Sequence, residues 1–427
     1  MSEQPRRAVV DIAIVGAGAA GLVTAIWAGR TARSQSRSLD ILLLDTRQKI
    51  GAKILMSGGT RCNVTHREVL PSDFQGGSRT FIKHILEAFT PEETQKFFKE
   101  IGVRLTLEPT GKYFPSTHSA QTVLDALIHE TRRAGVRLAA GIRITEIKKE
   151  GDSFQLKNAD GSYPACARRV ILTTGGLSYP GTGSDGAGYG IAKSFGHTVL
   201  DPFPALTPLL TQDSDWKDLS GVSLEARLSF YKNGKKECET RDSFLFTHFG
   251  FSGPAALDIS RHFSAARKED HPQIFASFLP GYHEESLKAA FQSAQKNHPG
   301  KSLKNLLAEE FSLPSRLAQT LLKKAGIPGS ETIGKGPGEN RRRLLHLLLH
   351  YPLEVTGVFG YKKAEVTAGG VDLKEVNVST MESKLAGGLY FAGEILDADG
   401  RIGGFNFQWA WSTGAVAGRS AARSLLV

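Results

Sequence analysis

The chain opens with a seven-residue apolar run, Val9–Val15, interrupted only by Asp11, and the β-branched residues in it predict a buried strand. Six residues rich in glycine and alanine follow, Gly16–Gly21, and then an apolar-periodic stretch, Leu22–Arg33, predicts a helix. Leu39–Leu44 predicts a second buried strand. Strand, glycine turn, helix and parallel strand make the βαβ unit that opens a doubly wound α/β sheet.

The pattern changes after Val136 to short alternating strands near Ile142–Ile147, Phe154–Lys157 and Arg169–Thr174, with an Asp160-Gly161 turn, which predicts a β-meander. The last strand runs into Gly175-Gly176, where backbone can approach a ligand closely. Pro202, Pro204 and Pro208 then mark a boundary. Beyond them Leu224–Tyr231, an Asn233-Gly234 turn and Ser243–Phe249 predict antiparallel β structure. Glu284–Leu349 is helical in pattern, with Leu303–Phe311, Leu317–Lys324 and Arg341–His350 as its helices. Apolar strands of the first type return only at Val366–Gly370 and Gly388–Glu394, so the middle of the chain is inserted into the first domain. The expected division is 1–203 and 365–427 for the α/β domain, 204–283 for a β-barrel-like insert, 284–350 for a helical insert and 351–364 for a return through β structure. No internal repeat or low-complexity tract occurs.

Composition adds two constraints. The 427 residues carry 53 Lys and Arg against 43 Asp and Glu, a net charge of +10 that favours anionic partners, although the basic doublets and the Arg341-Arg342-Arg343 triplet are scattered as solvated faces would be. Three cysteines, Cys62, Cys166 and Cys238, are too few and too far apart for a disulfide framework or a structural zinc site; they suit a reducing compartment, hence a cytoplasmic location, and leave no CxxC pair for disulfide chemistry. Arg6-Arg7 before an apolar stretch has the outline of a leader peptide, but Asp11 and the glycines at 16, 18 and 21 fit strand-turn-helix instead. No window reaches the roughly 20 apolar residues of a membrane span, so no stable membrane association is expected.

Four segments carry candidate chemistry. Gly16-Ala17-Gly18-Ala19-Ala20-Gly21 is a GxGxxG turn between strand and helix, and Asp45 closes the next strand where a carboxylate holds ribose hydroxyls. That carboxylate disfavours a 2′-phosphate, so the adenosine of FAD or NAD suits the site better than NADP. A second GxGxxG, Gly181–Gly186, follows Tyr179-Pro180 and lacks an acidic strand end, which marks it as the cap of a helix around Tyr189–Phe195. In residues 51–63, glycines such as Gly58 bring backbone N–H groups to a diphosphate, Lys53 or Arg61 neutralises it, and Ser57 and Asn63 can bond a ribityl chain or ring edge, with Cys62 in the same loop. At the C-terminal end a strand finishes in Gly393-Glu394, a loop passes Asp397, and a helix over Gln408–Ser420 begins after Gly403, Gly404, Phe405 and Asn406. A helix N-terminus there places its positive end at the flavin N1–O2 edge, a feature that FAD requires and NAD alone does not.

With these segments in view, the chain resembles the BaiN-like FAD-dependent oxidoreductases, a family once labelled aminoacetone oxidases that includes enzymes assigned to ribosomal RNA dihydrouridine formation. The resemblance spans nearly the whole chain and rests on GAKILMSGGTRCNVT (51–65), FTHFGFSGPAALDIS (246–260) and the segment from AEVTAGGV to TMESKLAGGLYFAGEILDADGRIGGFNFQWAWSTGAVAG (364–418). It implies an FAD Rossmann domain broken by the two inserts. Thr60, His66 and Ile402 depart from the family's usual Gly, Asn and Thr.

The resemblance implies a flavin reduced transiently by NADH or NADPH that passes hydride to an activated C=C bond, with no metal needed. A side chain must protonate the second carbon, and Cys62, His248 and Tyr179 are the candidates. Each has a plainer role available: an inert thiol in a glycine loop, a histidine satisfied by turn backbone, a tyrosine packed before proline. Trp409 and Trp411 are expected in the core. The acceptor is a small molecule or RNA; oxidation of a small amine by oxygen, or FAD as a structural prop in an RNA-binding protein, are the other readings.

Overall fold

The computed structural model describes residues 9–335 and 337–426, so the Arg6-Arg7 doublet lies outside the described residues. The chain divides into two units, residues 1–203 with 366–427, and residues 204–365, and each has its own hydrophobic core.

The first unit is built on strand β1 (Val9–Val15), helix α1 (Ala19–Ser34) and strand β2 (Ile41–Asp45). Helices α2 (Ala52–Thr60), α3 (Arg79–Ala88), α4 (Pro91–Glu100) and α5 (Ala120–Arg133) follow. Next come strands β3 (Arg137–Ala140), β4 (Ile144–Glu150), β5 (Ser153–Asn158) and β6 (Ala165–Leu172). The main sheet runs β3-β2-β1-β6-β5-β4, and the later strand Leu389–Phe391 also pairs with β6. β3, β2, β1, β6 and Leu389–Phe391 are parallel neighbours, whereas β6-β5-β4 is the antiparallel meander. Strands β1 and β2 are apolar on both faces because helices cover both sides of a parallel sheet.

The C-terminal helix Phe405–Leu426 lies directly on α1. Glycine makes this possible: a β-carbon at Gly418 would sit 2.3 Å from the Thr24 carbonyl oxygen. Trp409 and Trp411 of this helix are buried, as expected of core residues, and their indole N–H groups reach the carbonyls of Gly393 and Val64.

The second unit is a seven-stranded antiparallel sheet with helices attached. Its long hairpin pairs Ser223–Lys232 with Lys235–Thr247. Asn233 and Gly234 turn between them at φ 51° and 75°, the left-handed pair that a tight two-residue hairpin needs. The end strands of the sheet, Tyr351–Leu353 and Gly357–Val358, are consecutive in the chain, so the sheet curls back on itself as a barrel does. Trp216 stacks on Phe246 at 5.5 Å in its core, and the helices Glu284–Asn297, Leu303–Glu309, Ser315–Ala325 and Gly338–Leu349 complete it. Among the described residues no helix is long and apolar enough to cross a membrane.

Candidate cofactor site

The three glycines of the first turn answer three different demands. Gly16 sits at φ +108°, a backbone shape that favours glycine. A β-carbon on Gly21 would lie 1.8 Å from the Gly16 carbonyl oxygen, so α1 docks on the turn only without one, whereas one on Gly18 would meet nothing within 4 Å. The open space at Gly18 lies at the N-cap of α1, whose first turn holds no acidic residue and whose N-cap side chain makes no bond. Free N–H groups there are an anion site.

Asp45 faces this turn. Its Oδ2 accepts the Ala17 N–H at 2.6 Å and its Oδ1 accepts the Arg47 N–H at 2.7 Å. Burial pushes its carboxyl up from the usual value, against the pull of these two donors. Each carboxylate oxygen retains further acceptor capacity for ribose hydroxyls.

Residues 51–63 differ from the expected loop. Apolar Ile54, Leu55 and Met56 form a helical turn, after which Gly58, Gly59, Thr60 and Cys62 all take positive φ (55°, 64°, 69° and 62°). Arg61 is committed elsewhere: its guanidinium pairs with Glu108 at 2.7 Å and stacks 4.0 Å over the Phe114 ring. Lys53 is paired too, with the Glu394 carboxylate and with Ser178. Asn63 Oδ1 is buried with no hydrogen-bond partner, as is Thr174 Oγ1, which packs against Gly188. A buried amide oxygen left unsatisfied in this segment fits a bound ligand with polar groups, and the free α1 N-terminus and the Asp45 carboxylate fit the diphosphate and ribose of FAD.

The C-terminal half meets the N-terminal half at α1. Gly393, at φ +81°, leaves room for Ala20, whose β-carbon would be 2.7 Å from one on Gly393. Its N–H is held by Thr413 Oγ1 at 2.9 Å. Glu394 is enclosed by three donors: Lys53, the Ser178 hydroxyl at 2.6 Å and the Thr367 N–H at 2.9 Å. Gly175 lies at φ +72°, and Gly176 packs against the Thr367 side chain, which accepts the Leu177 and Ser178 N–H groups. Ser178 and Thr367 were not singled out in sequence. Thr367 lies inside the AEVTAGGV signature, and Ser178 follows the Gly175-Gly176 pair by two residues.

Several of the expected site residues also have partners within the chain. Phe405 is fully buried between His66, stacked at 5.0 Å, and Phe74. The Asn406 amide closes the loop by bonding both the N–H and the C=O of Gly400 at 2.8 Å, and Asp397 Oδ2 accepts the Gly77 N–H at 3.1 Å. Cys62 is corrected as a proton donor: its side chain is fully buried, with the thiol pushed up to about 12 by burial, so it presents no surface to a substrate. Tyr179 is half-buried at φ +51°, next to Ser178. His248 belongs to the second unit, exposed and packed edge-on to Phe249 at 4.9 Å. The second GxGxxG ends in Gly186, the N-cap of helix Ala187–Ser194, as the sequence indicated. Among the described residues no cluster of metal-ligating side chains occurs.

The model of the HI0933-like protein Rossmann domain matches residues 10–420. A 3-dehydro-bile acid delta(4,6)-reductase of Clostridium scindens is 33% identical over 96% of this chain and 98% of its own. A ribosomal RNA dihydrouridine synthase of Escherichia coli is 35% identical over 94% of this chain and 96% of its own. Among solved structures, E. coli quinol fumarate reductase FrdA aligns with a TM-score of 0.50 at 16% identity, over 98% of this chain and 71% of that one, a likeness of fold.

Proposed function

The chain belongs to the HI0933-like family of Rossmann-domain proteins, and from that membership we propose an FAD-dependent oxidoreductase that reduces a C=C bond conjugated to a ring carbonyl, drawing electrons from NADH or NADPH. The observation that carries this reading is the meeting of Gly393 with Ala20, which joins the diphosphate turn to the C-terminal helix in one cofactor site. Bound FAD supplies hydride chemistry. The chain's own parts bind and orient: Asp45 the ribose, the α1 N-terminus the diphosphate, Asn63 and the left-handed turn after Ser57 the more distal groups. The names of the two relatives point to one chemistry, since a 4,6-dien-3-one and a uracil ring both hold C=C conjugated to a carbonyl in a six-membered ring. The three unpaired cysteines suit a reducing compartment such as the cytoplasm.

A second reading, reduction of uracil within RNA, draws on the net charge of +10 and on the 35% identity to the E. coli enzyme. One experiment tests both. The purified protein is reduced anaerobically with NADH or NADPH, flavin bleaching is followed, and then a steroidal dienone or unmodified ribosomal RNA is added. Fast reoxidation by the dienone alone supports the small-molecule enzyme, and fast reoxidation by RNA, falling steeply with added salt, supports the RNA enzyme. A flavin that neither acceptor reoxidises defeats the proposal.

A further inference from the structure

Resting on that reading, we infer that Lys53, held in place by Ser178 and Glu394, is the cation that meets the redox-active ring of the bound FAD rather than its diphosphate. Three segments distant in sequence bring the cluster together: α2 carries Lys53, the loop after β6 carries Ser178, and the turn after Leu389–Phe391 carries Glu394. The donors and acceptors run in one direction. Ser178 has a single hydroxyl proton, and it goes to Glu394 Oε1 at 2.6 Å, so Ser178 receives an N–H of Lys53. Glu394 Oε2 takes a second N–H of Lys53. An ammonium has three, and the third has no partner among the described residues, while 29% of the Lys53 side chain stays open.

Ser178 is fully buried and Glu394 only 18% exposed. Enclosing an ion pair to this degree is costly, and apolar packing would hold the fold as well. Both ions are instead retained where the two halves of the cofactor site converge. Glu394 is bound on both oxygens and is spent on fixing Lys53. The unspent N–H on Lys53 is what a ligand oxygen would engage.

Two ligand oxygens are possible in principle, and electron counting separates them. Reduction by hydride adds two electrons and one proton to the ring, hence one negative charge, whereas the charge of the diphosphate does not change. A cation at the ring therefore binds reduced FAD better than oxidised FAD, and a cation at the diphosphate treats both alike.

The test is the dissociation constant of FAD in its oxidised and dithionite-reduced forms, measured on the full-length protein and on Lys53→Met, Lys53→Arg and Ser178→Ala. Removal of one hydrogen bond to a charged group weakens binding by about 10- to 100-fold. In Lys53→Met that loss falls mainly on the reduced form. Lys53→Arg keeps the wild-type ratio of the two constants, and Ser178→Ala, which frees the ammonium without removing it, shifts the ratio the same way by a smaller factor. Equal weakening of both forms in Lys53→Met assigns Lys53 to the diphosphate and overturns the inference. So does an unchanged ratio accompanied only by a lower Tm, or an unchanged ratio in Ser178→Ala if Lys53→Met does not fold. The ratio is read without nucleotide or acceptor, so a protein that binds FAD but reduces no C=C bond defeats the functional reading and leaves this inference standing.

Discussion

The Ala17 N–H donates to Asp45 Oδ2 at 2.6 Å, so the residue that closes β2 also fixes the turn that opens α1. The bond couples the two parts of the proposed adenosine site, and burial of the carboxyl makes its charge expensive in the cofactor-free protein. Asp45→Asn keeps an oxygen for Ala17 and removes that charge. Its NH2 replaces the acceptor of the Arg47 N–H, a loss that offsets the relief of the buried charge, so the expected outcome is a cofactor-free protein within about 1 kcal/mol of wild type at neutral pH, with FAD affinity reduced by about 10- to 100-fold through loss of charge-assisted ribose bonds. Thermal melts and FAD titration check the two halves. A variant that binds FAD as the wild type does would remove Asp45 from the site.

Cys62 supplies a test of negative outcome. A general acid contributes about 100-fold or more to turnover, whereas a thiol that is fully buried meets no substrate to protonate. Cys62→Ala is expected to keep turnover within about twofold of wild type, because the loss is confined to packing. The native thiol should react with a disulfide reagent only after unfolding. A hundredfold slower variant would reinstate Cys62 as the acid.

Thr60 stands at φ +69°, exposed, with a β-branched side chain in a region that costs a non-glycine residue roughly 1 to 2 kcal/mol. Thr60→Gly removes that strain and gives back part of the gain to the more flexible unfolded chain. A net stabilisation of about 0.5 to 1 kcal/mol is expected from denaturant melts of the two proteins. A destabilised variant would mean that the Thr60 hydroxyl, which bonds the Gly59 carbonyl at 2.6 Å, outweighs the backbone strain.

The legible and illegible parts of the site divide by sequence distance. Gly16, Gly18, Gly21 and Asp45 lie within thirty residues of one another, and the spacing of a βαβ unit alone determines where they meet. Of helices α3, α4 and α5, α4 has a start that is legible locally, since Thr90-Pro91-Glu92-Glu93 carries a full capping box, with Thr90 Oγ1 accepting the Glu93 N–H and Glu93 accepting the Thr90 N–H. That signal was local and available. Lys53 and Glu394 are 341 residues apart, and their pairing depends on how the C-terminal strand adds beside β6, which no spacing rule conveys. The engagement of Arg61 with Glu108 and the burial of Cys62 are likewise products of packing.

His197 provides the pH dependence. Its ring is buried, with Nδ1 at 3.1 Å from Glu375 Oε2 and Nε2 at 2.7 Å from Ser383 Oγ. Ser383 Oγ already accepts the Leu385 and Ala386 N–H groups, so its own proton goes to His197 Nε2, and the ring is neutral with its proton on Nδ1. Burial lowers the His197 value below the usual imidazole range and outweighs the opposing pull of Glu375. The sign follows: the unfolded chain takes up a proton near pH 6.5 while the native ring does not, so stability is intact above that pH and falls as the pH drops below it. The slope approaches about 1.4 kcal/mol per pH unit until the native ring also titrates. His197→Gln loses the Glu375 or Ser383 bond and is expected to be about 1 to 3 kcal/mol less stable at pH 7.5. Its further loss between pH 7 and pH 5 should be smaller than that of the wild type. Denaturant melts at saturating FAD across that range measure both slopes, and parallel lines would show that acid destabilisation arises elsewhere than at His197.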